Sequence, residues 1–538
     1  MKVCLFDGHI RNREQLCDEL SLQPSRSQDV ERSILEAGFA RWGRDIGNHI
    51  CGSFALALLD EESGELFCAR DPLGVKPFYY CLDSGGAFHY GSDIGDVIGG
   101  LSGREIDREA LQRYLMFGYP VGETTLYRGV RKLMPGHYLV YNGNGILVQP
   151  YFSLTFQPDF SRTEEQWACD IERTLAGILA EDAEVLASGG SRSFLSGGVD
   201  SSYLLALSGA KRACGIGYAE EASSEAKAAA ATARHLGVDF TEVRVTSDQF
   251  FEAIPRVVRS AGLPVADAST VALLLGCEAV ARDSSHCLSG EGADELFAGY
   301  HLYRRVDELG QAGDPWYYGC SGVMEEEAAR CLLMLERSYP TENLVKGLYD
   351  ATESCERLSR LQAIDCALWF EGDILLGADA ASRASGLNLL LPYADRRMVD
   401  LATRIPARLR LKDGCGKYVL RKAAQNRLPR EVAFRGKVGF SVPIRGWMRE
   451  GALRDDIESA LFGACSARFF KRDLVESYWV SFLAGNDDLW HIVYAIYVFL
   501  IWHRECFETA CWENNPLRTD QSPTSRLTRD SQRKGRRE

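Results

Sequence analysis

The sequence predicts an α/β protein built in series. Antiparallel β layers with helices cover residues 1–155, and a parallel sheet with a helical C-terminal part covers residues 156–510. Three observations carry this. Up to about residue 155, short apolar runs are separated by turns. After Pro158, strand-like and helical runs alternate, the pattern of a parallel sheet. From about 325 to 380 and from 398 to 510 the pattern is mostly helical.

In the first half, GSFALALLD and ELFCAR are apolar runs bounded by glycine and charge, as buried strands are. GHYLVYNGNGILVQPYF places two strand-like runs around Asn-Gly, a hairpin signal. DVERSILEAGFARWG reads as a helix from Asp29 to Gly43. In the second half, SFL, ACGIGYA and FTEVRV are the strands between SSYLLALSGAKR and SSEAKAAAATARHLG, the helices. RCLLMLERSYP is an amphipathic helix of the core, and WYYGC packs inside. Residues 511–538 are polar, end in SQRKGRRE, and read as a disordered basic tail.

Composition narrows the function. A net charge of −14 argues against a general nucleic-acid binder, yet leaves room for a polyanionic ligand in a local pocket. The 17 cysteines include no Cys-x-x-Cys pair, so zinc-ribbon and thioredoxin-like readings fall away. The opening MKVCLFDGHIRNREQL lacks a signal peptide's apolar core, and IVYAIYVFLIW is far short of the roughly 20 residues of a membrane span. The expectation is a cytoplasmic protein with reduced thiols and no membrane or nucleic-acid partner.

The most informative stretch is SFLSGGVDSSYLLAL, residues 193–207. Strand, glycine turn and helix in that order put a helix N-terminus at the mouth of a sheet, where phosphate binds. Gly197 and Gly198 allow close backbone approach, and Ser196, Ser201 and Ser202 add hydroxyls. Asp200 would repel phosphate by itself, so its natural partner is Mg²⁺. No Gly-Lys-Ser/Thr follows, which excludes a Walker-type loop. A second stretch, LSGEGADELFAGY, sets Glu291, Asp294 and Glu295 close together after another apolar run and suits a second metal-binding acid.

These stretches resemble the glutamine-dependent asparagine synthetase family over residues 1–505, as do FCARDPLGVKPFYY, LYRGVRKLMPGHYLV, LPYADRRMVDLATRIPARLRLKDGCGKYVLRKA and FRGKVGFSVPIRGWMR in the family's order. The resemblance implies an Ntn-hydrolase-like first domain and an ATP-pyrophosphatase second domain. It implies pyrophosphate contacts at Ser196, Gly197, Gly198, Asp200 and Ser201, and Mg²⁺ on Asp200 and Asp294. Leu195, Ile216, Ser289 and Gly290 fall on nucleotide contacts, with Ile216 against adenine. Glu291 falls beside the acyl group, and Lys437 falls where a lysine steadies charge during adenylation. Asp267 and Ser269 match a loop near the acyl-adenylate, and Asp29 matches the acid that binds the glutamine amino group.

The chain also departs from the family pattern. The family's glutaminases need an N-terminal cysteine; here Met1 is followed by Lys2, and Cys4 sits inside an apparent strand. The family's Asn-Gly-Glu is Asp7-Gly8-His9, which puts a carboxylate where an oxyanion hole is needed. An upstream start and a relic domain both remain open as explanations, and Asp7 and His9 favour the relic. His9 and His286 read as packing histidines. In GLNLLLP, Asn388 and Leu390 stand where the family carries an acid and an arginine, which puts aspartate itself in doubt as substrate.

The resulting expectation is an ATP- and Mg²⁺-dependent amide-forming ligase. It would adenylate a small-molecule or peptide carboxylate, release pyrophosphate and pass the acyl group to ammonia or an amine, as in aspartate-to-asparagine conversion. The alternative is a macrolactam, lasso-peptide or β-lactam-forming relative. A non-catalytic nucleotide binder is the third reading, and a homodimer is a possible assembly.

Overall fold

Alternation decides the first half. A computed structural model of the chain describes residues 1–23, 29–101, 103–187, 191–218, 224–306, 317–320, 322–436, 442–508 and 525–527. Its first strands are Lys2–Ile10 (β1), Gly52–Leu59 (β2), Leu66–Arg70 (β3), Tyr79–Leu82 (β4), Phe88–Gly91 (β5), Arg131–Lys132 (β6), His137–Tyr141 (β7) and Ile146–Pro150 (β8). One antiparallel sheet runs β1-β2-β3-β7-β8; a second contains β5-β4-β6, with Ser525–Leu527 paired to β5. On β2, Phe54, Leu56 and Leu58 pack toward the helices Arg13–Leu20 and Asp29–Trp42. The intervening Ala55 and Ala57 pack toward the second sheet, as a period of two requires. The Asn-Gly stretch is the β7–β8 hairpin, with Tyr141 opposite Ile146.

The second half centres on a parallel sheet. Its strands are Ser191–Phe194 (β9), Arg212–Tyr218 (β10), Asp239–Val245 (β11), His286–Leu288 (β12) and Asn388–Leu390 (β13), in the order β11-β10-β9-β12-β13. From β9 the chain winds outward through β10 and β11, then returns to β9's other side as β12. β9 and β12 therefore flank the switch point where the crevice of such a sheet opens. The helical C-terminal part includes Trp490–Trp502, buried from Ile492 onward, and runs on through the π-helical turn His503–Glu508. Among the described residues, no helix is long and apolar enough to cross a membrane.

Some expectations meet limits. The helix expected at RCLLMLERSYP is shorter: it spans Glu326–Leu332, and Met334 takes a left-handed φ of 54° and is exposed. Tyr317 of WYYGC is buried and donates to Asp365, whereas Trp316 lies outside the described residues. Residues 509–524 and 528–538 of the tail also lie outside them.

The two halves meet across a seam of ion pairs. Arg70 donates to Glu371 at 2.8 Å, and Lys132 donates to the same carboxylate at 2.6 Å. Lys76 pairs with Asp379 at 2.9 Å, and Arg11 with Asp182 and Asp395 at 3.1 and 3.2 Å. The Ala-Arg-Asp-x-x-Gly stretch builds part of this seam. Asp71 accepts from the backbone N–H groups of Phe54, Leu73, Gly74, Val75 and Lys76, and this fixes the turn that holds Arg70 and Lys76.

Candidate functional site

β9 ends at Phe194, and Leu195 bonds back to the Cys214 carbonyl at 2.9 Å. The chain then turns at Gly197, whose φ is +78°. A Cβ there would lie 2.8 Å from the Ala229 nitrogen, so only glycine fits without movement. Gly198 is the N-cap of the helix Val199–Ser208 and supplies no side chain to its open N–H groups. The Ser196 and Ser201 hydroxyls lie 3.1 Å apart, and Ser201 Oγ also accepts from Ser196 N–H at 3.2 Å. Ser202 is fully buried.

The loop after β12 lies against this turn. Ser289 N–H donates to the Leu390 carbonyl at 3.0 Å, so β13 borders the loop directly. A Cβ on Gly290 would sit 3.4 Å from that of Asp200. Gly292, at φ +98°, starts the short helix Ala293–Phe297, which carries Asp294. Ser289 Oγ donates to Glu291 at 3.0 Å. Burial pushes the Glu291 carboxyl up; Asp294 and Asp200 add to this, and the Ser289 hydroxyl and Lys417 oppose it.

Asp200 and Asp294 converge on one ammonium. Lys417 Nζ lies 2.5 Å from Asp200 Oδ2 and 2.8 Å from Asp294 Oδ1. Burial disfavours that charge, but the two carboxylates outweigh it and raise the Lys417 pKa. Lys417 itself holds a left-handed φ of 57° at the N-cap of Tyr418–Ala424, an uncommon conformation for a side chain of this size. Asp200 Oδ1 is buried and has no hydrogen-bond partner among the described residues.

The sequence reading assigned no role to Lys417 or to two arginines now seen beside it. Arg435 donates to the Gly197 carbonyl at 2.7 Å and brings residues 433–436 to the glycine turn. Arg421 holds that segment through the carbonyls of Ala433 and Arg435, at 2.9 and 2.7 Å. The Lys-Tyr-x-Leu-Arg stretch was the available signal, because it sets a lysine and an arginine four positions apart. Lys437 lies outside the described residues.

The remaining expected residues are spread more widely. Ile216 is half-buried on β10, the strand beside β9. Asp267 caps the helix Ala268–Ala281 by accepting from Ser269 N–H at 2.9 Å, and burial pushes its carboxyl up against those bonds. Asp29 opens the helix Asp29–Trp42 in the first half, and its side chain lies outside the described residues. Asp7 pairs with Lys76 at 3.2 Å; burial opposes its charge, but Lys76 and Arg383 hold its carboxyl below the usual range. His9 lies 3.4 Å from Asp182. His286 begins β12, with Asn388 at 3.4 Å.

A parallel sheet with an open helix terminus and paired carboxylates at its switch point is the arrangement with which α/β proteins bind phosphate-bearing ligands. Residues 187–504 match the asparagine synthase family, and residues 1–152 match the glutamine amidotransferase domain. Asparagine synthetase [glutamine-hydrolyzing] 1 of Bacillus subtilis is 27% identical over 93% of this chain and 85% of its own length. A putative asparagine synthetase [glutamine-hydrolyzing] of Mycobacterium bovis is 29% identical over 93% of this chain and 84% of its own. Amidase chry2 of Gibberella zeae is 28% identical over 60% of this chain and 50% of its own. The chain belongs to the asparagine synthase family and is a carbon–nitrogen ligase.

Proposed function

We propose that the chain adenylates a carboxylate in the crevice between β9 and β12 and transfers the acyl group to an amine. The convergence of Asp200 and Asp294 on Lys417, beside an uncapped helix N-terminus, carries this reading. Asp200 and Asp294 would hold Mg²⁺: they are hard oxygen donors, and Asp200 Oδ1 is buried with no partner among the described residues. That ion would supply positive charge against the phosphates of ATP.

The chain's own groups share the remaining work. The N–H groups at Gly198 and beyond, with the Ser196 and Ser201 hydroxyls, take the pyrophosphate oxygens. A substrate carboxylate oxygen attacks the α-phosphorus, and the bond from that phosphorus to the pyrophosphate oxygen breaks. Lys437 steadies the added charge. Ile216, Leu195, Ser289 and Gly290 border the nucleotide, and Asp267 with Ser269 borders the acyl end. An amine nitrogen then attacks the acyl carbon, the bond to AMP breaks, and Glu291 takes the amine proton. Burial raises its pKa and so strengthens it as a base.

Two readings of the substrate remain in play. Family membership supports aspartate as the acid. Against it, Leu390 is buried and apolar beside Ser289, and this favours a bulkier or less charged acid. Asp7 and His9 are engaged with Lys76 and Asp182, so ammonium salts or amines, and not glutamine, are the expected nitrogen source.

Exchange of labelled pyrophosphate into ATP, run with aspartate and with a peptide panel, tests the reading. Asp200→Asn and Asp294→Asn should each lower exchange at least about 100-fold in a folded protein. Wild-type exchange in both variants would overturn it.

A further inference from the structure

Three side chains from two C-terminal segments converge, and no residue of the crevice takes part. Cys465 precedes the short helix Ser466–Arg468, while His503 and Glu508 begin and end the π-helical turn. Cys465 Sγ lies 3.2 Å from His503 Nδ1, and that nitrogen lies 3.5 Å from Glu508 Oε1. One sulfur, one nitrogen and one oxygen thus sit within 4.8 Å of one another.

The backbone prepares this convergence. The i→i+5 bonds of a π-helical turn bring residues five apart toward one face, whereas an α-helix would turn them about 140° apart. Aromatic rings enclose the imidazole: Phe469 and Phe507 each lie 5.1 Å from it, centre to centre, and Phe499 lies at 6.2 Å. His503 is fully buried, and its Nε2 has no hydrogen-bond partner among the described residues. The polar outlet of the ring is therefore Nδ1, which faces a half-buried thiol and a carboxylate. Glu508 also meets Arg468 at 3.0 Å, but both side chains stand in solvent, where such a pair is weak and easily exchanged.

We propose that Cys465, His503 and Glu508 bind one Zn²⁺ through thiolate sulfur, imidazole Nδ1 and carboxylate oxygen, with water in the fourth position. Zn²⁺ takes this donor set, and its neighbouring ligand atoms stand about 3.3–3.6 Å apart at tetrahedral angles. Two sides of the triangle already have that spacing to within a few tenths of an ångström. Sulfur and nitrogen donors set the site apart from Mg²⁺, which prefers oxygen. On binding, the Cys465 thiol gives its proton to water, the imidazole proton resides on Nε2, and Glu508 turns from Arg468 to the ion. The ion fastens the π-helical turn to the loop between the helices Gly451–Phe462 and Arg472–Leu483. Phe507 of the same turn stacks on Tyr127 of the first half, with ring centres 6.0 Å apart, so the clip also steadies a contact between the halves. No Cys-x-x-Cys spacing announces the site, because ligands 38 positions apart meet only in the folded chain.

Cobalt(II) reads the site in the full-length protein, stripped of metal with a chelator and kept reduced. One equivalent should give the intense visible bands of four-coordinate Co²⁺ and a thiolate-to-cobalt charge-transfer band in the near ultraviolet. Zn²⁺ should displace it, and excess Mg²⁺ should not. Cys465→Ala should abolish the charge-transfer band and weaken Zn²⁺ binding about 100-fold or more in competition with a chromophoric chelator. Glu508→Gln, a change at an exposed side chain that leaves the fold intact, should weaken it about tenfold or more. Asp200→Asn should keep the wild-type spectrum. Absence of the bands in wild type, or their persistence in Cys465→Ala, would overturn the proposal, and so would wild-type affinity in Glu508→Gln. Loss of the bands in Asp200→Asn would move the ion to the crevice and overturn it too. Should Cys465→Ala fail to fold, Glu508→Gln decides by itself.

Discussion

At the scale of residues, the phosphate turn depends on a few atoms. Gly197 combines a φ of +78° with a neighbouring backbone nitrogen 2.8 Å from where a Cβ would go. Gly197→Ala should therefore destabilise the protein by about 1–3 kcal/mol and weaken ATP binding by more than that loss explains. Thermal melts and nucleotide titration check both, and unchanged ATP affinity would show that the turn does not touch the nucleotide. The glycines, Asp200 and Asp294 were legible in the sequence because their types and spacing have few structural uses. Lys417 was not. A lysine in a helical stretch has many uses, and only the folded chain brings it from 217 positions away to Asp200.

At the scale of elements, alternation made β2, the β7–β8 hairpin and the strands of the parallel sheet readable, because each must bury one or both faces. Strand order was not readable, since periodicity says nothing about which strand pairs with which. The order places β12 beside β9, and this pairing brings the two loops together. The helix ending at Asp365 carries a consequence for pH. Burial pushes the Asp365 carboxyl up to about 6, while the Tyr303 and Tyr317 hydroxyls oppose the shift. A carboxyl with a folded pKa above its unfolded value of about 3.9 favours folding most below that value and loses the contribution as pH rises through about 6. The wild type should lose about 2 kcal/mol relative to Asp365→Asn between pH 4 and 7. Calorimetry at intervals of one pH unit would read this, and a constant difference between the two proteins would refute it.

At the scale of the whole molecule, the seam is polarised. The first half contributes Arg11, Arg70, Lys76 and Lys132, and the second contributes Asp182, Asp395, Glu371 and Asp379. Arg383 reaching Asp93 runs the other way. Removing one partner of a buried pair strands the other, so Glu371→Gln should cost about 3–5 kcal/mol. The melting temperature reports this, and a loss below about 1 kcal/mol would mean that the pair adds little to the join. The Pro-aromatic-x-Asp-Arg stretch was legible as a family feature, but its use was not: Asp395 ties the halves together through Arg11, while Arg397 of its own half holds it in place. The same polarity bears on any attempt to prepare the ligase half separately. A fragment starting after residue 152 would leave its counter-cations behind and bring a row of acidic side chains into contact with water. Their mutual repulsion would loosen the very helix that lies against the crevice, and adding the missing half in trans should restore what truncation removes.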